Sequence, residues 1–344
     1  MTDELQKENE TMITDKPNTE HGNGTNTVLP AVAPTLTLST DAIALALRGM
    51  CGIGIGAKIR LLISFSGGET SAFLAHWILN NLSEYFEIII VFANTGREEE
   101  ATLEFVRDCD RYLGFKTIWV ESVVHHGERK GSTYKFVNFE TASRNGGPFE
   151  EVIKKYGIPN VDFPHCTREL KTNPIHACAK DVFESDDYKT AIGIRSDEAD
   201  RIKNGKYWYP LLRMGITKAD IKAFWKSMPF RLSLNEEFLP KNLDGYRGNC
   251  KRCWKKTLTK LIQYTRDFPE DTWIEDMEKK YEAFVPDGQT DGRSVPIRFN
   301  RKNMSGEEIR NLSALTDKEI KERMSKRKIK MDLSNGCSES CEVF

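Results

Sequence analysis

The chain has 344 residues, with 50 Lys and Arg against 51 Asp and Glu, for a formal net charge of −1. That length allows one large or two modest domains, and the balanced charge names no partner, so any nucleic-acid footprint has to be local. No apolar run reaches the roughly 18 residues a membrane span needs, and the polar N-terminus has no signal-type apolar core. Eight cysteines suit metal or redox thiols of a cytoplasmic protein better than a disulfide framework.

Residues 1–40, rich in Thr, Asn, Glu and Pro, read as a disordered tail. Ser39-Thr-Asp41 offers an N-cap for a short helix over Ala42–Leu47, and Gly52–Gly56 reads as a flexible lead-in. Leu61–Phe65 is an apolar strand, followed by Ser66-Gly-Gly-Glu-Thr-Ser71 and then Phe73, Leu74, Trp77 and Ile78 at helical spacing. A strand, a glycine turn and a helix start aim backbone N–H groups and a helix dipole at one point, an arrangement that suits a phosphate. Gly67 and Gly68 permit close approach and positive φ, while Ser66, Thr70 and Ser71 add hydroxyl donors without negative charge. No Gly-Lys-Ser/Thr follows, so the loop is not a Walker A.

Glu87–Ala93 is a second buried strand, ending in Asn94-Thr-Gly96 before an acidic helix opening at Glu98, Glu99 and Glu100. Phe115–Val120 and Thr190–Ile194 are the third and fourth strands. Strands alternating with helices predict an α/β fold with a doubly wound, mainly parallel sheet. Ligands of such sheets sit beyond the strands' carboxyl ends, where Ser66 and Asn94 both fall. Residues 127–164 read as a long substrate loop or lid with short helical pieces, Tyr209–Leu212 as the close of the sheet region, and Thr217-Lys-Ala-Asp220 as the cap of a helix through Trp225. The predicted organisation is a tail (1–40), a nucleotide-binding domain (41–234) and a smaller C-terminal helical, cysteine-bearing region with a basic, flexible tail (235–344).

Four motifs stand in order: Ser66–Ser71, Phe92-Ala-Asn-Thr-Gly96, Cys166-Thr-Arg-Glu-Leu-Lys-Thr-Asn-Pro174 and Gly193-Ile-Arg-Ser-Asp-Glu198. Together they resemble the phosphoadenylyl-sulfate (PAPS) reductase family of the adenine-nucleotide α-hydrolase, or PP-loop ATP pyrophosphatase, superfamily, and most closely its divergent phage-associated branch. The resemblance covers roughly residues 59–230. It implies that Ser66, Gly67, Gly68, Thr70 and Ser71 hold the phosphates of an adenine nucleotide, either ATP or an adenylyl or phosphoadenylyl sulfate. The backbone of Phe92 to Asn94 then meets the adenine edge, and Lys171, Arg195 and Arg201 neutralise a sulfonate or polyphosphate. Asp197 and Glu198 either hold the arginines or, with ATP, bind Mg²⁺. A homo-oligomer is also expected.

The cysteines extend the resemblance. Cluster-bearing adenylyl-sulfate reductases place a Cys-Cys pair before an Arg-Lys-x-x-Pro stretch and a Cys-x-x-Cys further on. Here Cys166 matches the first of the pair, Thr167 replaces the second, and Cys250-Lys-Arg-Cys253 supplies the rest. Three thiolates suit a [4Fe–4S] cluster with one open iron; zinc on Cys250, Cys253 and two other ligands is the alternative. Cys337 and Cys341, near the end of the chain, read as a nucleophile with its resolving partner, as missing metal ligands, or as an inert tail. Cys51, Cys109 and Cys178 read as ordinary buried thiols.

Arg247–Lys260 carries six basic residues, no acid and Trp254, and reads as a phosphate-contacting patch around the cluster. Arg301–Lys330, with ten basic and five acidic residues, reads equally as such a patch or as a solvated face. The functional expectation is an enzyme of the resembled family doing sulfur chemistry with an adenine nucleotide and a thiol reductant or sulfur donor. The chemistry is either sulfonucleotide reduction by a tail thiolate or ATP-dependent sulfur transfer. The alternatives are an ATP-dependent tRNA- or DNA-thiolating enzyme with an iron–sulfur cluster, and a non-catalytic nucleotide sensor.

Overall fold

Five strands form one sheet in the order β4-β3-β2-β1-β5. Strands β1 (Ile59–Phe65), β2 (Phe86–Asn94), β3 (Ile118–Val124) and β5 (Lys189–Ala191) are parallel, and β4 (Ser132–Val137) runs antiparallel on the β3 edge. The computed structural model describes residues 58–127, 131–202, 207–234, 240–286 and 295–326, all within a single compact unit. The expected helix over 42–47, the glycine lead-in, Cys51, Cys337 and Cys341 lie outside the described residues.

Alternation along the strands divides the core in two. Leu61, Ile63 and Phe65 face helices α1 (Glu69–Leu82) and α2 (Glu100–Leu113), packing with Phe73, Trp77, Phe105 and Trp225. Leu62, Val91, Ala93 and Val120 face the other way, against Ile175, Cys178, Ala179 and Phe183 of α4 (Asn173–Phe183). The order turns back at β1, with β2 on one side and β5 on the other, which makes the sheet doubly wound. Its switch point lies between β1 and β5, where ligands of such sheets bind.

Three expectations are corrected. Residues 127–164 are not a lid: they hold β4 and helix α3 (Gly147–Tyr156), whose Phe149, Val152 and Ile153 are buried. The third strand starts later than expected and runs to Val124, because β4 pairs with it as far as Ser132. The fourth leaves the ladder at Ala191, two residues before Gly193, which packs so closely on the β1–α1 loop that a methyl there would sit 3.1 Å from Ser71 Cα.

Helices α5 (Pro210–Arg213) and α6 (Lys218–Ser227) follow, the latter capped as expected by a Thr217–Asp220 box. The C-terminal region contributes α7 (Leu258–Asp267), α8 (Trp273–Tyr281), α9 (Gly306–Ser313) and α10 (Asp317–Lys326). A core of its own joins α7, α9 and α10 through Leu261, Ile262, Ile309, Leu312, Ile320 and Met324. Another knits α3 to α8 through Phe149, Ile153, Ile274, Met277 and Phe299, and includes Cys166 and Trp254. Ion pairs fasten this region to the chain after β2: Arg97 to Asp271 at 2.6 Å and Arg247 to Glu99 at 3.0 Å. No helix among the described residues is long and apolar enough to cross a membrane.

Candidate active site

The loop after β1 is built by short-range bonding. Ser71 Oγ lies 2.8 Å from Ser66 Oγ, accepts from Ser66 N at 3.2 Å and donates to Gly68 O at 3.0 Å, closing the turn on itself. Gly67 takes φ +78°, where a non-glycine residue costs roughly 1–2 kcal/mol. Gly68 is the N-cap of α1 and brings no side-chain cap, so the first N–H groups of this 14-residue helix have no intrahelical acceptor and can meet an anion. Arg195, beyond β5, reaches the loop from the other side of the switch point, with Nη1 donating to Thr70 Oγ1 at 3.1 Å.

Asp197 and Glu198 hold arginines. Asp197 pairs with Arg195 Nε at 3.0 Å, and Glu198 with Arg195 at 3.4 Å and Arg201 at 2.5 Å. Trp225 Nε1 donates to Glu69 O at 2.9 Å and seats α6 on the loop. Burial pushes the Glu69 carboxyl up to about 7, against the lowering influence of Arg231, Lys222 and Lys218.

Phe92 packs its ring against Phe65 and Trp119. The Asn94 side chain is fully buried, donating to Glu121 Oε1 at 2.7 Å and Ser143 O at 2.9 Å and accepting from Gly96 N at 3.1 Å. Both side chains are structural, and Phe92, Ala93 and Asn94 are buried.

Beyond β2 lies a recess lined by Cys166, Cys250 and Cys253 together with Thr95, Thr167, Lys171, Lys251, Phe149, Trp254 and Phe299. Cys166 thus meets two thiols that lie more than 80 residues further along the sequence. Cys166, Thr167 and Lys171 sit on or beside a wide π-type turn (Arg168–Thr172) leading into α4, a distortion frequent at functional sites. Glu169 anchors that turn. Burial alone would raise its carboxyl, but hydrogen bonds from Ser132 at 2.7 Å and Arg168 at 2.6 Å outweigh it and hold it below the ordinary range.

Cys250 and Cys253 sit in a tight turn closed by Cys253 N donating to Cys250 O at 3.2 Å, with Asn249 and Arg252 in the left-handed region at φ +61° and +50°. Strained backbone of this kind persists only where its surroundings over-determine it. Trp254 Nε1 donates to Cys166 Sγ at 3.5 Å and ties that turn to the first thiol. On the opposite wall Thr95 Oγ1 lies 3.4 Å from Cys250 Sγ, which itself donates to Glu98 Oε1 at 3.7 Å. Lys171 Nζ pairs with the same Glu98 oxygen at 3.5 Å.

Three buried cysteines line one recess, a thiolate-rich donor set of the kind that iron–sulfur clusters take. Cys250 and Cys253 would equally supply half of a four-coordinate zinc site.

Much of the basic stretch around Cys250 is turned inward. Arg252 is fully buried and pairs with Glu275 at 2.6 Å. Lys256 and Lys260, each 1% exposed, donate to Cys250 O at 3.1 Å and Asp244 O at 2.6 Å. These cations cap carbonyls, and only Lys251 and Lys255 stay near the recess and half-exposed. In the second stretch, Lys318, Lys321, Arg323 and Lys326 of α10 are exposed among Asp317, Glu319 and Glu322, a solvated helix face. Cys109 and Cys178 are fully buried, and burial pushes the Cys178 thiol up to about 12; neither is reactive.

The chain is 30% identical over 290 residues to the nin region protein ORF290 of Escherichia phage lambda, an alignment spanning 82% of this chain and 94% of that protein. This chain belongs to the ORF290 family. A second relative, protein MJ0066 of Methanocaldococcus jannaschii, is 27% identical over 221 residues, which is 62% of this chain but only 40% of that longer protein. No family model matches. Among solved structures, the U34-tRNA thiolase NcsA from Methanococcus maripaludis with its [4Fe–4S] cluster is similar over 74% of this chain and 82% of that one, at 12% identity and a TM-score of 0.30. That superposition is too loose to transfer a site or substrate to the ORF290 family.

Glu98 and Glu99 were missed as site residues, since by position they open a helix. Glu98 instead serves Lys171 and Cys250, and Glu99 serves Arg247 and Tyr264. Only Glu100 lies in the first turn of α2.

Proposed function

We propose that the chain is an ATP-dependent sulfur-transfer enzyme that thiolates a nucleobase in a nucleic acid. The observation that carries this reading is the meeting of Cys166, Cys250 and Cys253 in one recess, with Thr167 where a fourth thiolate would complete a closed cluster. A [4Fe–4S] cluster held by these three cysteines would present one iron open to a sulfur ligand.

The loop at Ser66–Ser71 and the start of α1 bind the polyphosphate, and Arg195, held by Asp197 and Glu198, fixes Thr70 in place. An oxygen of the acceptor base attacks the α-phosphorus, the bond to the β-phosphate oxygen breaks, and pyrophosphate leaves. Hydrosulfide then forms the carbon–sulfur bond, AMP departs with the oxygen, and the sulfur's proton passes to water. Lys171, positioned by Glu98, places a compact cation where negative charge develops. Lys251 at the recess suits a phosphodiester chain delivering the base.

The test uses anaerobically purified protein with ATP, sulfide and bulk tRNA or DNA. It reads pyrophosphate and, by mass spectrometry of the digested nucleosides, oxygen-to-sulfur replacement. Nucleic-acid-dependent pyrophosphate release lost in Cys166→Ser supports the reading. Sulfite released from adenylyl or phosphoadenylyl sulfate, with no thiolated nucleoside, would replace it with sulfonucleotide reduction.

A further inference from the structure

Thr167 lines the recess beside Cys166, and the Lys255 ammonium donates to its Oγ1 at 3.2 Å. Lys255 is fixed a second time, with Nζ 5.5 Å from the centroid of the Trp254 ring, and Trp254 itself holds Cys166 Sγ. A cation on a long flexible stem is thereby held behind the recess-lining Thr167 by its hydroxyl and an aromatic face. A threonine hydroxyl has one proton to give. With its oxygen accepting from an ammonium, that proton is both polarised and left to donate elsewhere.

We propose that the Thr167 hydroxyl and the Lys255 ammonium form a seat for a small sulfur anion, hydrosulfide, within the recess. This inference rests on the sulfur-transfer reading and adds the residues that choose and hold the sulfur donor. A compact cation with a neutral donor beside it suits a small monoanion, since hydrogen bonds to an ionised acceptor are stronger than neutral ones. A cysteine at 167 would serve a closed four-thiolate cluster; the threonine leaves that position able to recognise an anion supplied from outside.

The experiment uses the full chain reconstituted anaerobically with iron and sulfide and then desalted. Sodium sulfide is titrated into the reduced protein while the electron paramagnetic resonance spectrum is followed. The wild-type spectrum shifts saturably. Lys255→Gln and Thr167→Val, at matched iron content, raise the half-saturating concentration about tenfold or more, in line with roughly 1.5–3 kcal/mol for a hydrogen bond to a charged group. Thr167→Ser, which keeps the hydroxyl, titrates like wild type, and Thr167→Cys abolishes the response while retaining the cluster. Unchanged titrations in both Lys255→Gln and Thr167→Val overturn the seat and leave the sulfur-transfer reading standing. A wild-type chain that takes up no cluster overturns both.

Discussion

Gly67 and Gly68 are neighbours in the loop with opposite structural demands, and replacing each by alanine separates folding from phosphate binding. At Gly67, with φ +78°, a methyl would lie 2.7 Å from Thr102 Cγ2 and 3.0 Å from the Phe92 ring. The left-handed conformation costs a non-glycine residue roughly 1–2 kcal/mol, and overpacking a filled core typically adds about 1–3 kcal/mol. Gly67→Ala is therefore expected to lose about 2–5 kcal/mol, read as a lower urea midpoint at unchanged slope. At Gly68 the nearest atom to such a methyl is Ser66 Oγ at 3.5 Å, an ordinary contact. There the weaker N-cap and the stiffer unfolded chain roughly cancel, each at about 0.5–1 kcal/mol. Gly68→Ala should fold like wild type yet bind ATP at least tenfold more weakly by calorimetry, because the methyl occupies the anion's approach to α1. A loss below about 1 kcal/mol in Gly67→Ala would refute the packing argument, and undiminished ATP affinity in Gly68→Ala would refute the assignment of the loop.

Three more outcomes follow from buried charges. Glu69 is neutral below about 7 and ionised above it, so ATP affinity should fall as pH rises through 7, and Glu69→Gln should flatten that dependence in calorimetry at pH 6 and 8. Glu278 accepts from Phe299 N and Gly306 N, both at 2.7 Å, and burial pushes its carboxyl up to about 7. A raised carboxyl favours the protonated folded state, so its contribution to stability is present below pH 4.5 and lost as pH rises to about 7, by roughly 3 kcal/mol in all. The urea stability of wild type relative to Glu278→Gln should shrink by that amount between pH 4.5 and 8; a constant difference would exclude the linkage. Arg252→Ala leaves Glu275 with Arg310 alone at 3.1 Å and empties a fully buried site in the turn between Cys250 and Cys253, at about 2–5 kcal/mol by thermal or urea denaturation; a near-neutral effect would show that the pair is dispensable.

The features legible in the sequence are those written locally. An apolar run ending in Ser-Gly-Gly declares a strand, a turn and a helix start within a dozen residues, and Thr217 with Asp220 declares a cap. Strand β4 escaped because an edge strand with one exposed face mixes Tyr134 and Phe136 with Thr133 and Lys135 and shows no long apolar run. Residue type gives charge but not burial, so Arg252, Lys256 and Lys260 look like a surface patch when their acceptors, Glu275 and the carbonyls of Cys250 and Asp244, lie elsewhere in the fold. The meeting of Cys166 with Cys250 and Cys253 is likewise tertiary: only the resemblance to cluster-bearing reductases pointed to it, and spacing along the chain alone could not. Glu98 shows the reverse failure, a local helix-opening signal overridden by distant partners.

The most direct test of the central claim, that Cys166 and the distant Cys250–Cys253 pair form one cluster site, is iron and acid-labile sulfide content after anaerobic reconstitution. Wild type should hold one [4Fe–4S] cluster per chain. Cys166→Ser, Cys250→Ser and Cys253→Ser should each lose most of it, while Cys109→Ala, whose thiol lies in the sheet core, should keep it. Full cluster content in any one of the three serine variants would contradict the account.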